Sequence, residues 1–388
     1  MKKETYSPFL AFLLCLLAST ALWAAGGKPT SALKKNILAQ AGQNLVAEPQ
    51  TVTSFRATRS SGTIHDFYSE GDYWWPDPKN PDGPYIRRDG ETNPDNFVAH
   101  RHAMIRFSTI VANLTSAYLI TGDHRYVEGV MKHVRAWFVQ PDTRMNPSLL
   151  YAQAIKGRVT GRGIGIIDTI HLMEVTQSLL RLEERGALSE ADLRDTKQWF
   201  RDYIAWLSTH PYGIDEMKAK NNHGTCWAMQ VAAFARFVGN QEMLHFCRRQ
   251  FKQVFMVSQM AEDGSFPQEL ARTKPYGYSL FNLDAMAVLC QILSTPEDNL
   301  WTYTTADGKC MRKAVDYMYP YVDDKEKWPF RKDVMYWDEW PVAQPAYLFA
   351  WKAFGDKKYY KVWEKYNHFP TNEEVIRNLP IRNPLIWL

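Results

Sequence analysis

Lys220-Asn221-Asn222-His223-Gly224-Thr225-Cys226-Trp227 is the stretch on which the reading of this chain turns. A polar cluster ends there in an apolar run, Trp227, Val231, Phe234 and Val238, spaced like one face of a helix. Asn and Thr are favoured N-cap residues, so the pattern predicts a helix starting at or just after His223. An amide and an imidazole then sit beside the electropositive end of a helix, a natural seat for a carboxylate. An ordinary capped helix has the same local signature, so the rest of the chain must decide between the two.

Outward from this point the chain reads as helical almost throughout. Helices are predicted near 98–120, 124–138, 165–185, 188–208, 223–238, 241–259, 279–294, 308–320, 342–354 and 356–367. Gly122-Asp123, Gly186, Gly239-Asn240 and Gly355-Asp356 recur as junctions. Each ends one helix with a C-cap residue and lets the next begin. Helix hairpins repeated in this way predict an all-α array, closed or nearly closed into an α/α toroid. The connections at 139–164, 209–222, 260–278 and 321–341 would gather at one end of it, where a site is expected. Residues 61–96 differ. Tyr73-Trp74-Trp75-Pro76-Asp77-Pro78 and Pro81-Asp82-Gly83-Pro84-Tyr85 form an aromatic, proline-rich loop that excludes regular helix.

The chain has 388 residues, 45% of them hydrophobic, with 14 Trp, 20 Tyr and 19 Phe, ample for a large core. Lys2 and Lys3, an apolar run from Phe9 to Trp23 and the small residues Ala24 to Gly27 read as a secretory signal. Residues 1–26 are therefore assigned to a leader and 27–388 to one toroid domain exported to the periplasm or outside the cell. The apolar run is too short and wrongly flanked for a stable membrane span. Cys15 within it follows leucine rather than a small residue, which argues against lipidation. Loss of Lys2, Lys3 and Glu4 takes the net charge from +4 to +3. That mild bias permits an acidic polymer as partner, and the absence of any basic run argues against nucleic acid. Cys226, Cys247, Cys290 and Cys310 show no CxxC spacing, so zinc is not expected. In an exported protein they allow one or two disulfides. His100 and His102, two apart at a helix start, do not share a face and give no metal pair. Neither a metal nor an organic cofactor is implied.

Two connections carry chemistry. Gly213-Ile214-Asp215-Glu216-Met217 runs into Asn222-His223, and Phe266-Pro267-Gln268-Glu269-Leu270-Ala271-Arg272 leads on to Tyr276-Gly277-Tyr278. Together they supply an amide, an imidazole, a guanidinium and phenols. That set suits β-elimination across a uronic-acid glycosidic bond. The C5 proton is weakly acidic because it lies α to a carboxylate, and its removal builds charge that donors must neutralise, as in an oxyanion hole. A base must reach C5 and an acid must protonate O4. Histidine, with an ordinary pKa of about 6.5, can be the base. Tyrosine, at about 10, is a good donor when neutral and needs a nearby cation to act as base.

Tyr73-Trp74-Trp75-Pro76-Asp77-Pro78, Tyr85-Ile86-Arg87-Arg88-Asp89-Gly90, Gly161-Arg162-Gly163-Ile164-Gly165-Ile166-Ile167-Asp168, Asn221-Asn222-His223-Gly224-Thr225 and Phe266-Pro267-Gln268-Glu269-Leu270-Ala271-Arg272-Thr273 resemble the alginate lyase superfamily of α/α-toroid polysaccharide lyases. The likeness is greatest to polysaccharide lyase family 38 and more distant to family 5, and it spans about residues 65 to 290. The resemblance implies that Asn222 neutralises the substrate carboxylate, that His223 is the base and that Tyr278 is the acid. It implies that Arg272 orients the carboxylate or lowers the phenol's pKa. Tyr276 competes with Tyr278 for the acid role. On mannuronate, where H5 and O4 share a face, one phenol can serve as both base and acid.

Glu216 is a candidate to orient His223. Trp74 and Trp75 are candidates to stack on sugar rings. Arg87, Arg88 and Arg162 are candidates to pair with further carboxylates, with His102 and Gln153 as further cleft residues. The expected activity is lysis of a 1,4-linked polyuronate, most of all alginate, leaving 4,5-unsaturated ends. Glucuronan is the alternative polymer. A glycoside hydrolase on the same toroid would need two facing carboxyl groups, with Glu216, Asp263 and Glu269 as candidates. A non-catalytic glycan-binding protein would keep the aromatic loop and not depend on His223 or Tyr278.

Overall fold

The computed structural model describes residues 27–388, so the expected leader, Cys15 included, lies outside the described residues. The first helix, α1 (Gly27–Leu45), is followed by the aromatic loop, which carries three short strands, β1 (Tyr68–Glu70), β2 (Trp74–Trp75) and β3 (Ile86–Arg87). Five helix hairpins then follow. They are α2 (Ala99–Thr121) with α3 (Arg125–Phe138), and, after β4 (Tyr151–Ala154) and a 3-10 segment Gly163–Thr169, α4 (Leu172–Glu184) with α5 (Glu190–Thr209). A short α6 (Pro211–Met217) leads to α7 (Asn222–Val238) with α8 (Gln241–Gln250), which runs on through a π turn Phe251–Phe255 to Met256–Ser258. A one-turn α9 (Pro267–Leu270) precedes α10 (Pro275–Leu293) with α11 (Met311–Asp323). The last pair is α12 (Pro345–Phe354) with α13 (Lys357–Lys365), and a final short helix, α14 (Glu373–Arg377), opens the C-terminal tail.

The first helix of each hairpin faces inward. α2, α4, α7, α10 and α12 pack on one another in succession, and the second helices lie outside them. The last and first inner helices do not pack closely together, so the ring is incomplete, as an α/α toroid of hairpins predicts. Residues 384–387 of the tail pack against α2 and α4, and the Trp387 carbonyl accepts from Gln291 of α10. Arg382 and Asn383 bond to Glu174 of α4, and Gln177 and Arg181 donate to the carbonyl of Ile386.

The helix breaks follow the glycines. Gly122, Gly186, Gly239 and Gly355 all have φ between 63° and 79°, the left-handed conformation that ends a helix at little cost only for glycine. Aromatic side chains fill the space between the layers. Trp137 of α3 stacks on Phe107 of α2 at 4.9 Å, and Phe200 of α5 meets Phe234 of α7 at 5.0 Å. Each of these four is at most 1% exposed, and burial of such a side chain stabilises by about 1.5–3 kcal/mol. Helix α2 is apolar and long enough to cross a membrane by composition, but two-thirds of it is buried as an inner core helix.

The structure departs from the sequence reading in several places. The predicted helix 165–185 opens as the 3-10 segment, and its α-helical part starts only at Leu172. The connection 209–222 contains α6, started by Pro211 and capped by His210 Nδ1, which accepts from the Tyr212 N–H. Helix α10 begins at Pro275, four residues earlier than the spacing suggested, because Asp333 accepts from the N–H groups of Tyr276 and Gly277. The aromatic loop is pinned by strands: β1 pairs in parallel with β4, and β2 with β3 antiparallel. The four described cysteines are free thiols, three of them buried in the core, so none of the disulfides that export would allow is formed.

Candidate active site

The connections do gather at one end, and they enclose a solvent-open cleft of about 300 Å³ at the N-terminal ends of the inner helices. Asn221, Asn222 and His223 reach it from the start of α7, Arg272 from the connection into α10 and Tyr278 from the first turn of α10. Asp72, Tyr73, Trp74 and Arg87 come from the aromatic loop, Gln153 and Arg162 from the wall beside β4, and Arg377 and Asn378 from the tail.

The start of α7 is built differently from a self-capped helix. Asn221 occupies the N-cap position, but its side chain makes no cap bond. Instead Glu269, 47 residues away, receives the Asn222 backbone N–H on one oxygen and its side-chain amide on the other, both at 2.7 Å. The carboxylate seat foreseen at this helix end is thus filled by the protein itself. The result is a fixed Asn222 amide, 2% exposed, with one N–H engaged by Glu269. Gly224 is required here by space: a Cβ on it would lie 2.2 Å from the Ala219 carbonyl oxygen. His223 Nδ1 is 2.6 Å from Glu216 Oε1, and Glu216 is 1% exposed. In the tautomer that donates Nδ1–H to Glu216, Nε2 keeps its lone pair, and the ring lines the cleft.

On the other side, the Tyr278 hydroxyl is 2.7 Å from that of Tyr73 and 3.4 Å from Arg272 Nη2. The Arg272 guanidinium also lies over the Tyr278 ring at 4.5 Å. Burial, followed by the neighbouring Tyr73, pushes the Tyr278 phenol well above its ordinary value, against the opposing pull of Lys274 and Arg272. The phenol is therefore protonated near neutral pH, the form that donates. Arg272 is held by Asp89, with Nη2–Oδ1 at 2.9 Å, and Asp89 also accepts from Thr273 and Arg87. Gly90 next to it approaches so closely that a Cβ would meet Thr273 Oγ1 at 2.4 Å.

Arg162 is fixed by a neutral partner. It donates from Nε to the Gln153 carbonyl and from Nη2 to Gln153 Oε1, both at 2.9 Å. Gln153 itself adopts φ +49°, an unfavourable backbone for a non-glycine residue that the surrounding contacts impose. Burial lowers the Arg162 pKa to about 10, which still leaves it a cation at neutral pH. Arg158 and Arg162 both approach the Trp74 ring, at 5.1 and 5.9 Å from its centre.

Other sequence candidates stand apart from the cleft lining. Tyr276 is fully buried, donates to the Tyr321 carbonyl and packs on Trp328 and Trp337, so its ring belongs to the core. Trp75 donates to the Glu91 carbonyl with Arg88 over its ring, and neither lines the cleft. His102 is exposed beside Glu373 at 3.7 Å. His100 is buried, accepting from the Tyr68 N–H and bonding to the Phe55 carbonyl. Among the described residues no group of three or more His, Cys, Asp or Glu side chains is arranged to hold a metal. The carboxylates named for hydrolysis do not face each other across the cleft. Glu216 and Glu269 are each 1% exposed and turned to His223 and Asn222, and Asp263 accepts from the Ser265 N–H at a bend. Tyr73, Asp89, Arg377 and Asn378 were not singled out from sequence. The first two lie inside quoted motifs, whereas nothing in Glu373-Glu374-Val375-Ile376-Arg377-Asn378 marks it as more than a short helix.

The charged walls predict an acid response. Burial alone would raise Asp89 and Glu374, but Arg272 at the first and Lys274 with Arg377 at the second hold both at about 2. Carboxyls depressed in this way stabilise the fold above their ordinary values near 4, and the contribution is lost as pH falls through about 2. The thermal midpoint should therefore fall between pH 4 and pH 2, and Asp89→Asn should flatten part of that fall. An unchanged slope in the variant would contradict it.

An incomplete α/α toroid with an amide, an imidazole, a guanidinium and a protonated phenol around one open cleft is the architecture of a polysaccharide-processing enzyme. Residues 51–328 match the Alginate lyase family. An alginate lyase from Bacteroides ovatus is 32% identical, with 92% of this chain and 93% of that one covered and a TM-score of 0.80. Alginate lyase A1-III from a Sphingomonas species shares the fold at 15% identity, 82% and 87% coverage and TM-score 0.52. A variant of A1-III complexed with a tetrasaccharide gives 14%, 82% and 86%, and 0.56. No curated protein matches the sequence. The chain belongs to the alginate lyase family, and it is a polysaccharide lyase.

Proposed function

We propose that the enzyme cleaves alginate by β-elimination. The observation that carries this reading is the pairing of two fixed groups in one cleft, a histidine whose Nδ1 is engaged by Glu216 and a protonated tyrosine backed by Arg272. His223 Nε2 takes the C5 proton, and a double bond forms between C4 and C5 as the C4–O4 bond breaks. Tyr278 gives its proton to O4, and the charge that builds on the C5 carboxylate is met by the Asn222 amide and Arg272. Arg162, Arg87 and Trp74 line the same cleft and suit the carboxylates and ring faces of neighbouring sugars. The buried, engaged state of Glu216 and Glu269 speaks against hydrolysis by a carboxyl pair.

The polymer is tested by following ultraviolet absorbance of unsaturated ends with polymannuronate, polyguluronate and glucuronan supplied separately. A rise with either alginate block and none with glucuronan is expected. A rise with glucuronan alone would replace the substrate and keep the chemistry.

A further inference from the structure

We propose that the C-terminal helix α14, which lies beyond the family-matched residues 51–328, is a clamp that positions the Tyr73–Tyr278 pair. The proposal rests on the reading of Tyr278 as proton donor. The two tyrosines come from segments 205 residues apart, and their hydroxyls must meet at 2.7 Å. Each is tied to a charged residue that α14 grips. Asp72 directly precedes Tyr73, and its Oδ2 is 2.8 Å from Arg377 Nη2. Lys274 lies one helical turn before Tyr278, whose N–H bonds to its carbonyl, and Lys274 Nζ donates to Glu374 Oε1 at 2.6 Å. Glu374 and Arg377 are themselves joined at 3.2 Å. One short helix thus connects both tyrosine-bearing backbones through a continuous chain of ion pairs.

The clamp is itself fixed. The Asn372 side chain accepts from the N–H groups of Glu374 and Val375, and Val375 is fully buried. Beyond it, Arg382 and Asn383 anchor the tail on Glu174. Buried ion pairs are an expensive way to hold a fold, because desolvation offsets most of their attraction. Three of them in the wall behind one hydroxyl pair fit a positioning role better than a stabilising one.

The charges also set the proton affinity of the pair. Lys274 Nζ stands 5.2 Å from the Tyr73 ring and 5.4 Å from that of Tyr278. The charged groups facing the pair are Lys274 and Arg272 from the approach to α10, Asp89 and Asp72 from the aromatic loop, and Glu374 and Arg377 from α14. Glu374 offsets Lys274, so the lysine does not strip the phenols of their protons.

Glu374→Gln should lower kcat by about 10- to 100-fold with KM little changed, as expected for slight misplacement of a reacting group. It should also move the basic limb of the kcat profile to lower pH, because Lys274 then acts on both phenols uncompensated. Arg377→Lys keeps the charge at Asp72 but not the fork, and should lower kcat without moving that limb. Glu373→Gln, at an exposed neighbour, should behave as wild type. Wild-type kcat and pH profile in Glu374→Gln would overturn the proposal. So would a loss that only follows the folded fraction while the limb stays in place. If Glu374→Gln does not fold, Arg377→Lys decides: lowered kcat at constant KM supports the clamp, and wild-type kcat refutes it. Tyr278→Phe in the same assay separates the two levels, since an active Tyr278→Phe would remove the donor reading rather than the clamp.

Discussion

Tyr278→Phe is expected to lower kcat on a susceptible polyuronate by about 10²- to 10⁴-fold, the range for loss of a positioned general acid. The substitution removes one oxygen and little else. The ring keeps its place, 9% exposed, under the Arg272 guanidinium and near Lys274. What disappears is the hydroxyl between Tyr73 and Arg272, and with it the proton for the departing O4. Tyr73 is left with a hydroxyl lacking that partner, which costs about 1–3 kcal/mol, a modest share of the stability of a chain this size. Initial rates and a thermal midpoint measured together separate the two effects. A near-native midpoint with activity within a few-fold of wild type would contradict the assignment.

Asn222→Asp should be nearly as damaging, by about 10²- to 10³-fold in kcat, the cost of losing one oxyanion donor. Here the sign of the charge matters as much as the lost donor. The amide N–H groups face Glu269 on one side and the cleft on the other. Replacing them with a carboxylate sets like charges beside each other and opposite the substrate carboxylate. Glu269 is already pushed upward by burial, against the opposing hydrogen bonds from Asn222 and the charges of Arg272 and His223. The new pair should therefore share a proton at higher pH than an ordinary carboxyl. Residual activity of Asn222→Asp should rise as pH is lowered and a neutral carboxyl becomes available to donate. Asn222→Ala should show no such recovery. Equal pH profiles for the two variants would contradict a charge-neutralising role for this residue.

Much of the architecture was legible because it is local. The hairpin breaks lie at glycines that only a left-handed turn explains, and the inner faces follow helical spacing. The candidate cleft was legible through neighbours in sequence, Asn222 beside His223 and Arg272 six residues before Tyr278. What escaped the sequence is long-range. The caps of α7 and α10 come from Glu269 and Asp333, 47 and 57 residues away from the N–H groups they receive. Local spacing therefore starts α10 four residues too late and points to Asn and Thr as caps where distant carboxylates act. Tyr276 was a reasonable rival to Tyr278 on spacing alone, but two residues along a helix turn its ring from the cleft into the core. The partner of Tyr278, Tyr73, sits 205 residues earlier, beside two tryptophans and with no local mark of its own. Arg377 carries no local signal, and only the path of the tail brings it to the cleft.

The most direct test of β-elimination is the mass of the products formed from alginate in water labelled with heavy oxygen. Elimination breaks the bond without adding water, so unsaturated ends lighter by one water than hydrolysis products, and free of label at the cleavage site, are the predicted result. One labelled oxygen per cleavage, with saturated ends, would contradict the account and return attention to the carboxylates.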